Sequence, residues 1–271
     1  MNLAPIVKAV DKAINFFAAR ATVPSAWRTA DWEQAPAAIV NRAFFSAGVE
    51  SANFLDNAQR NIAQALLSAH DETGALMNRE RFIVEMRRRA VALGIATPEG
   101  KPTDLQNLAG ATRLGMIYDM NRDAALGRAR RASGLSEGAL FAAPAQELIR
   151  GRQAKIPRDW RARWAEAGGP DNAAPRMIAL KTDPVWEKLS RFGVPWAPFD
   201  FGSGMILKNI RRAEAISYGL LEPDTILKAA PDPEFNDGLA GTLLGAKPEI
   251  IQALKAFMPN LKIEAGKAVL A

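Results

Sequence analysis

One histidine, His70, no cysteine and a scatter of carboxylates are what this 271-residue chain offers to covalent or acid–base chemistry. A Ser-His-Asp triad would have to use His70. Thiol nucleophiles, disulfides, thiolate metal sites and multi-histidine zinc sites are excluded by composition. His70 stands beside Asp71 and Glu72 at the end of an apolar helical pattern, where a cation suits a helix C-terminus. Asp119 and Asp123 lie four apart and could share a helix face that takes a metal ion. With Arg122 nearby, the expectation is a solvated or salt-bridged face. Asp200-Phe201-Gly202 spells the metal-binding triplet of protein kinases, but no glycine-rich phosphate loop, Val-Ala-Ile-Lys strand or His-Arg-Asp loop accompanies it. Gly202-Ser203-Gly204 lacks the lysine-Ser/Thr ending of a P-loop and reads as a tight turn. Glu147 flanks a short apolar run and has no acid–base partner visible in the sequence. The expected catalytic, metal and cofactor sets are therefore empty.

Charge is the next source of chemistry. Residues 101–170 hold 12 basic and 7 acidic residues, so they carry +5 of the net +6. Arg128, Arg130, Arg131, Arg158, Arg161 and Arg163 are the candidates for a DNA-facing surface, since clustered cations suit a phosphate backbone. The alternative is a solvated arginine-rich face, and charge alone does not choose between them. Trp160 and Trp164, four apart with arginines interleaved, could stack on nucleic acid. A helical i, i+4 aromatic pair more commonly faces a core, and that is the expectation.

These residues have to be positioned by elements, and the first half reads as helices. Apolar residues recur at helical spacing at Ile6, Val7, Val10, Ile14 and Phe17. The pattern returns over about 36–49 (Ala37, Ile39, Val40, Ala43, Phe44) and about 53–69 (Phe54, Leu55, Ile62, Leu66). A fourth helix is expected over about 78–92, stopped by Gly94. Thr103 and Gln106 form a capping box for the longest, about 104–132, with Leu105, Leu108, Leu114, Ile117 and Ala124 as its apolar stripe and Gly134 past its end. After about 140 the runs shorten. Residues 147–150 and 177–180 suit strands, and helices are expected from Pro184, over 211–219 and over about 248–257. The N-terminal 20 residues carry charges inside their apolar pattern and do not read as a secretory signal.

The densest information lies in residues 184–205. They hold Trp186, Phe192, Trp196, Phe199 and Phe201 together with three prolines and three glycines. Aromatic side chains bury large areas, while proline and glycine set backbone geometry, so this stretch reads as a shaped, packed element. Trp186, Phe192, Trp196, Phe199, Asp200 and Phe201 are its candidate structural and interaction residues.

The chain resembles the phage Mu F-like (MuF) head morphogenesis proteins, minor capsid proteins of tailed phages and prophages. The resemblance runs in order through Phe44-Phe45-Ser-Ala-Gly-Val49, Arg81-Phe82, Arg113-Leu-Gly-Met-Ile-Tyr-Asp-Met-Asn121 and Ala-Leu-Gly-Arg128. It continues through Pro144-Ala-Gln-Glu-Leu-Ile-Arg150 and Pro157-Arg-Asp-Trp-Arg161 and closes on Pro184–Met205, covering about 40–220. Many relatives end this module on His-Pro-Asn-Cys-Arg-Cys. Here Pro198-Phe-Asp-Phe-Gly-Ser-Gly-Met205 stands in its place, so a metal or thiol role for that motif cannot operate. Aromatic and proline packing could serve the same structural purpose.

The expected fold is α+β and mainly α-helical. A helical N-terminal region (1–135) leads into a small mixed α/β, MuF-like module (136–220) and an irregular, partly helical tail (221–271). The resemblance implies a non-enzymatic minor head protein of the virion or procapsid, present in the bacterial host cytoplasm during assembly. Its implied partners are the portal or major capsid protein and packaged double-stranded DNA, with no membrane and no cofactor. The alternative function is a nucleic-acid-binding module that uses the basic 122–163 segment.

Overall fold

The computed structural model describes residues 11, 13–32, 35, 40, 43–68, 78–96, 106–153, 157–228, 239–242, 248–257, 261–264 and 267–270. The fold is α+β and mainly helical, about 49% helix with 12% strand. It divides into two compact units: residues 1–125 with 233–271, and residues 126–232. The segment after 232 thus belongs to the same unit as the N-terminal region, whereas the sequence pattern set a boundary near 135 and a separate tail from 221.

In the first unit, strands β1 (Ala21–Thr22) and β2 (Ala43–Phe44) pair in parallel, with the short helix α1 (Thr29–Trp32) between them. Helices α2 (Ala52–Ser68) and α3 (Arg79–Ala92) follow. Both match their apolar spacing: Phe54, Leu55, Ile62 and Leu66 are buried on α2, and Phe82, Met86 and Ala90 on α3. The ends of α3 are set locally. The Asn78 side chain accepts a hydrogen bond from the Arg81 N–H at 2.9 Å, and Gly94 takes φ +66° beyond the last turn. Residues 13–18 are helical, with Phe17 fully buried and edge-on to Phe44 at 5.6 Å.

Two expectations for this unit are corrected. Ala43 and Phe44 are strand rather than helix, because a short apolar run fits either period and the pairing with Ala21–Thr22 decides. The long helix α4 (Ala111–Gly134) starts at 111, not 104. Asn107 turns the chain just before it, its side chain accepting from the Ala109 N–H at 3.0 Å and its carbonyl from the Gly110 N–H at 2.9 Å. Its buried residues are Leu114, Tyr118, Ala125 and Ala129, only the first of which was in the expected stripe. Thr103, Leu105, residues 1–10 and His70 with Asp71 and Glu72 lie outside the described residues.

The second unit is built on a three-stranded antiparallel sheet. Helix α5 (Glu137–Ala142) precedes β3 (Ala145–Arg150), which is central, with β4 (Ile178–Leu180) and β5 (Met205–Ile210) on either side. Alternation along β3 sends Leu148 to one face and Ala145 to the other. On the Leu148 face lie helices α6 (Trp160–Glu166) and α7 (Val185–Leu189), which bring Trp160, Trp164, Val185, Trp186 and Leu189 into one cluster with Phe199 and Met205. Ala145, Ile178 and Ile210 pack on the opposite face with Ala173, Leu221 and Ala215 of helix α8 (Arg212–Ser217). Both expected strands are present; β5 was not read as one.

Returning to the first unit, β6 (Leu239–Thr242), β7 (Leu261–Glu264) and β8 (Lys267–Leu270) form an antiparallel sheet with β8 central, and helix α9 (Pro248–Phe257) matches its expected span. Ile251 and Ile263 pack against the cluster of Val23, Trp32, Ala35 and Ala43.

Candidate functional site

The polar centre of the second unit is Asp200. Helix α7 leads through Ser190 into a loop that returns to β5, and the Arg191 N–H donates to the Phe199 carbonyl at 2.9 Å, closing the loop on itself. Its last turn needs glycine at 204. Gly204 has φ +64°, and an added Cβ would lie 2.3 Å from the Arg152 carbonyl oxygen. The Gly204 carbonyl accepts from the Gly151 and Arg152 N–H groups at 2.8 and 3.0 Å, tying the loop to the end of β3. Beside this turn Phe199 is fully buried, and Asp200 is 3% exposed.

Three guanidinium groups meet that carboxylate. Arg163 donates from Nη1 to Oδ2 at 2.9 Å, Arg158 approaches through Nε at 3.2 Å, and Arg191 reaches Oδ1 at 3.4 Å. The Phe201 N–H donates to Oδ1 at 2.7 Å. Burial works to raise the carboxyl pKa, but the hydrogen bonds from Arg163 and Phe201 and the charges of Arg158 and Arg163 overcome it, holding Asp200 below the usual carboxylate range. Arg158 is further fixed by a 2.9 Å bond from Nη2 to the Phe201 carbonyl. Arg163 lies on helix α6 and Arg158 just before it, and Asp159 between them caps the helix, accepting from the Arg161 and Ala162 N–H groups at 3.1 and 3.0 Å.

The expected packing residues divide by burial. Trp186 is fully buried, donates from Nε1 to the Leu180 carbonyl at 2.8 Å and meets Trp164 edge-on at 5.3 Å. Phe192 and Phe201 form an edge-to-face pair at 4.9 Å and are half-buried. Trp196 is half-buried beneath Arg128, whose guanidinium carbon lies 5.4 Å from the ring. Trp160 and Trp164 are 4% and 0% exposed, so their rings belong to the core and are not a stacking platform.

The candidate DNA-facing arginines divide as well. Arg158 and Arg163 converge on Asp200, joined there by Arg191, which sequence reasoning missed. Arg131 donates to the Lys181 and Pro195 carbonyls at 3.2 and 3.3 Å. Arg161 donates to the Pro175 carbonyl at 2.7 Å and lies 3.7 Å from Asp171. Arg130 is exposed on α4.

A second polar cluster sits against the other face of the sheet. Arg176 grips Glu147 through two bonds, Nε to Oε1 at 2.8 Å and Nη2 to Oε2 at 2.7 Å. From Nη1 it also reaches Glu214 at 2.7 Å and the Tyr218 hydroxyl at 2.6 Å. The bonds from Arg176 hold the Glu147 carboxyl down against its burial, and Glu147 and Glu214 raise the Arg176 guanidinium further. An acid locked in this way is an ion-pair partner, not a poised general acid. Lys181, 4% exposed, donates to the Gly134 carbonyl at 3.3 Å at the end of α4, and burial lowers its pKa. Asp119 pairs with Arg79 at 3.0 Å and Asp123 with Arg122 at 2.8 Å, the salt-bridged form of the two alternatives expected there.

No protein-family model, curated protein or solved structure matches this chain.

Proposed function

We propose that this chain is a minor head protein of a tailed phage or prophage, of the Mu F-like kind. It acts as a structural component of the virion or procapsid in contact with the portal or major capsid protein. It needs no cofactor and catalyses no reaction. One observation carries the reading: the Pro184–Met205 block, on which the resemblance chiefly rests, supplies core and ion-pair residues of its unit. Trp186 and Phe199 are fully buried in it, and Asp200 is its buried counter-ion. A motif of this kind marks a structural module that a family would share, where a solvent-exposed loop would not. The two buried acids described in the same unit support the non-catalytic part of the reading, since Glu147 and Asp200 are both paired with arginine.

The test is mass spectrometry of gradient-purified heads and procapsids from induced source cells. The expected result is this chain at low copy beside portal and major capsid protein. Its absence from both particles, with those two proteins detected, overturns the reading.

A further inference from the structure

The sheet of the second unit has two edges, and they are finished differently. On β4 the Lys181 N–H turns inward to the Pro144 carbonyl, so its neighbour Leu180 faces outward. That outer carbonyl is taken: it accepts from the Asp183 N–H at 3.0 Å and from the Trp186 indole at 2.8 Å. β4 is also only three residues long, whereas β5 has six. The direction of the β5 groups follows from β3. The Leu148 N–H donates to Met177 and so faces β4, and the Gly151 N–H donates to Gly204 on the β5 side. Backbone groups alternate sides along a strand, so Glu147 and Ile149 bond their partners Lys208 and Ile206. Leu207 and Asn209 therefore turn their N–H and C=O groups away from the sheet. Among the described residues, nothing bonds to these four groups.

An open edge is a template for another strand, and proteins commonly block it. This one is reachable. Ile206 is 42% exposed, Lys208 and Asn209 are exposed, and Leu207 is half-buried. Ile206 and Lys208 stand two apart on one face and would give an incoming strand one apolar and one cationic contact. Glu147 lies across the ladder from Lys208, but it already accepts two bonds from Arg176. Arg150 stands opposite Met205 at one end of the edge, and Arg211 is exposed past the other. Residues 203–213 contain no acid. A second copy of β5 would set these cations against their own kind, so the charge selects an acidic strand.

We infer that the outer edge of β5 is a docking site for an extended, acidic segment of another protein. The segment adds as a fourth strand. Its main chain bonds to Leu207 and Asn209, a carboxylate stands opposite Lys208, and a β-branched apolar side chain stands opposite Ile206. The inference rests on the strand edge and not on the head-protein reading, and each can fail without the other.

The experiment uses the full chain and a labelled, end-capped peptide, Thr-Val-Thr-Glu-Thr-Val-Thr, whose symmetry suits either strand direction. Fluorescence anisotropy follows binding up to about 1 mM protein, because a single added strand binds weakly. Saturable binding is expected, and none by the wild-type chain overturns the site. Replacing the central glutamate of the peptide by lysine should weaken binding about fivefold, and Lys208→Glu should reverse that preference. Equal affinity of the wild-type chain for both peptides overturns the acidic assignment. Leu207→Pro deletes an outward donor while leaving the bonds to β3 in place, and it should weaken binding at least about tenfold. In case that variant does not fold, amide hydrogen exchange is read on the wild-type chain. Slower exchange at Leu207 and Asn209 on adding peptide, with Ile206 and Lys208 unchanged, supports the site; unchanged exchange at Leu207 and Asn209 overturns it. Protection of these two amides by raising protein concentration alone, with a dimer in sedimentation, would assign the edge to a second copy and overturn the acidic partner.

Discussion

Replacing Asp200 with asparagine isolates the charge at the centre of the second unit. Asparagine keeps the size of the side chain and an oxygen for Arg191 and the 2.7 Å bond from the Phe201 N–H, but it removes the charge and turns an NH2 group towards Arg158 and Arg163. Removing one member of a buried ion pair costs about 3–5 kcal/mol, because the remaining charge stays desolvated. The arginines here are about a third exposed, so water screens part of their repulsion and the expected loss falls to about 2–3 kcal/mol. Urea unfolding followed by tryptophan fluorescence reads this unit preferentially, since Trp160, Trp164, Trp186 and Trp196 all lie within it. With a slope of about 1.5 kcal/mol per molar, the midpoint should drop by about 1.5 M. Arg191→Gln removes the longest of the three contacts and should cost less than about 1 kcal/mol. The pH dependence has a definite sign. The fold lowers the Asp200 pKa, so its stabilisation is complete above the unfolded value of about 4 and is lost as pH falls through the lower folded value. The gap between wild type and Asp200→Asn should therefore be constant from about pH 7 to 5 and should close below about pH 4. A loss under about 1 kcal/mol at neutral pH, or a gap that widens in acid, would refute the claim that Asp200 is the counter-ion of this unit.

Two further predictions use the same unfolding measurement. Gly127→Ala should destabilise by more than about 2 kcal/mol although alanine is the better helix former by about 1, because its Cβ would fall 1.9 Å from the Ala197 carbonyl oxygen; Gly138→Ala, with nothing within 4 Å, should stabilise by about 0.5 kcal/mol. Trp186→Ala should cost about 3–5 kcal/mol, and Trp196→Ala, at a half-buried ring, about 1–2; equal losses would contradict the burial difference between them.

Helices α2 and α3 were legible because their determinants are local: apolar residues three and four apart, Asn78 before the first turn and Gly94 after the last. The start of α4 was misread because Asn107 competes for the backbone just upstream, which a capping-box pattern at Thr103 and Gln106 does not register. Strand β5 and the sheet of β6, β7 and β8 were missed for a different reason. A stretch such as Met205-Ile-Leu-Lys-Asn-Ile210 has no strict alternation, and its identity comes from the six pairs it makes with β3. The block at 184–205 was recognisable as packed from its composition, but composition could not say that Asp200 lies inside it.

The site was harder to see than the fold because ion pairs leave no local pattern. Arg163 and Asp200 are 37 residues apart, and Arg176 is 29 from Glu147 and 38 from Glu214. From the sequence, an arginine-rich segment offers two readings, a solvated face or a phosphate-facing surface, and neither anticipates arginines drawn onto a buried acid. The two Asp200 oxygens accept from three guanidinium groups and one N–H, so one buried acid ties together two separate stretches of the chain, 158–163 and 191–201. Burying one acid among three arginines therefore fixes the turn that leads into β5, which a solvated arginine face without such an acid would not do.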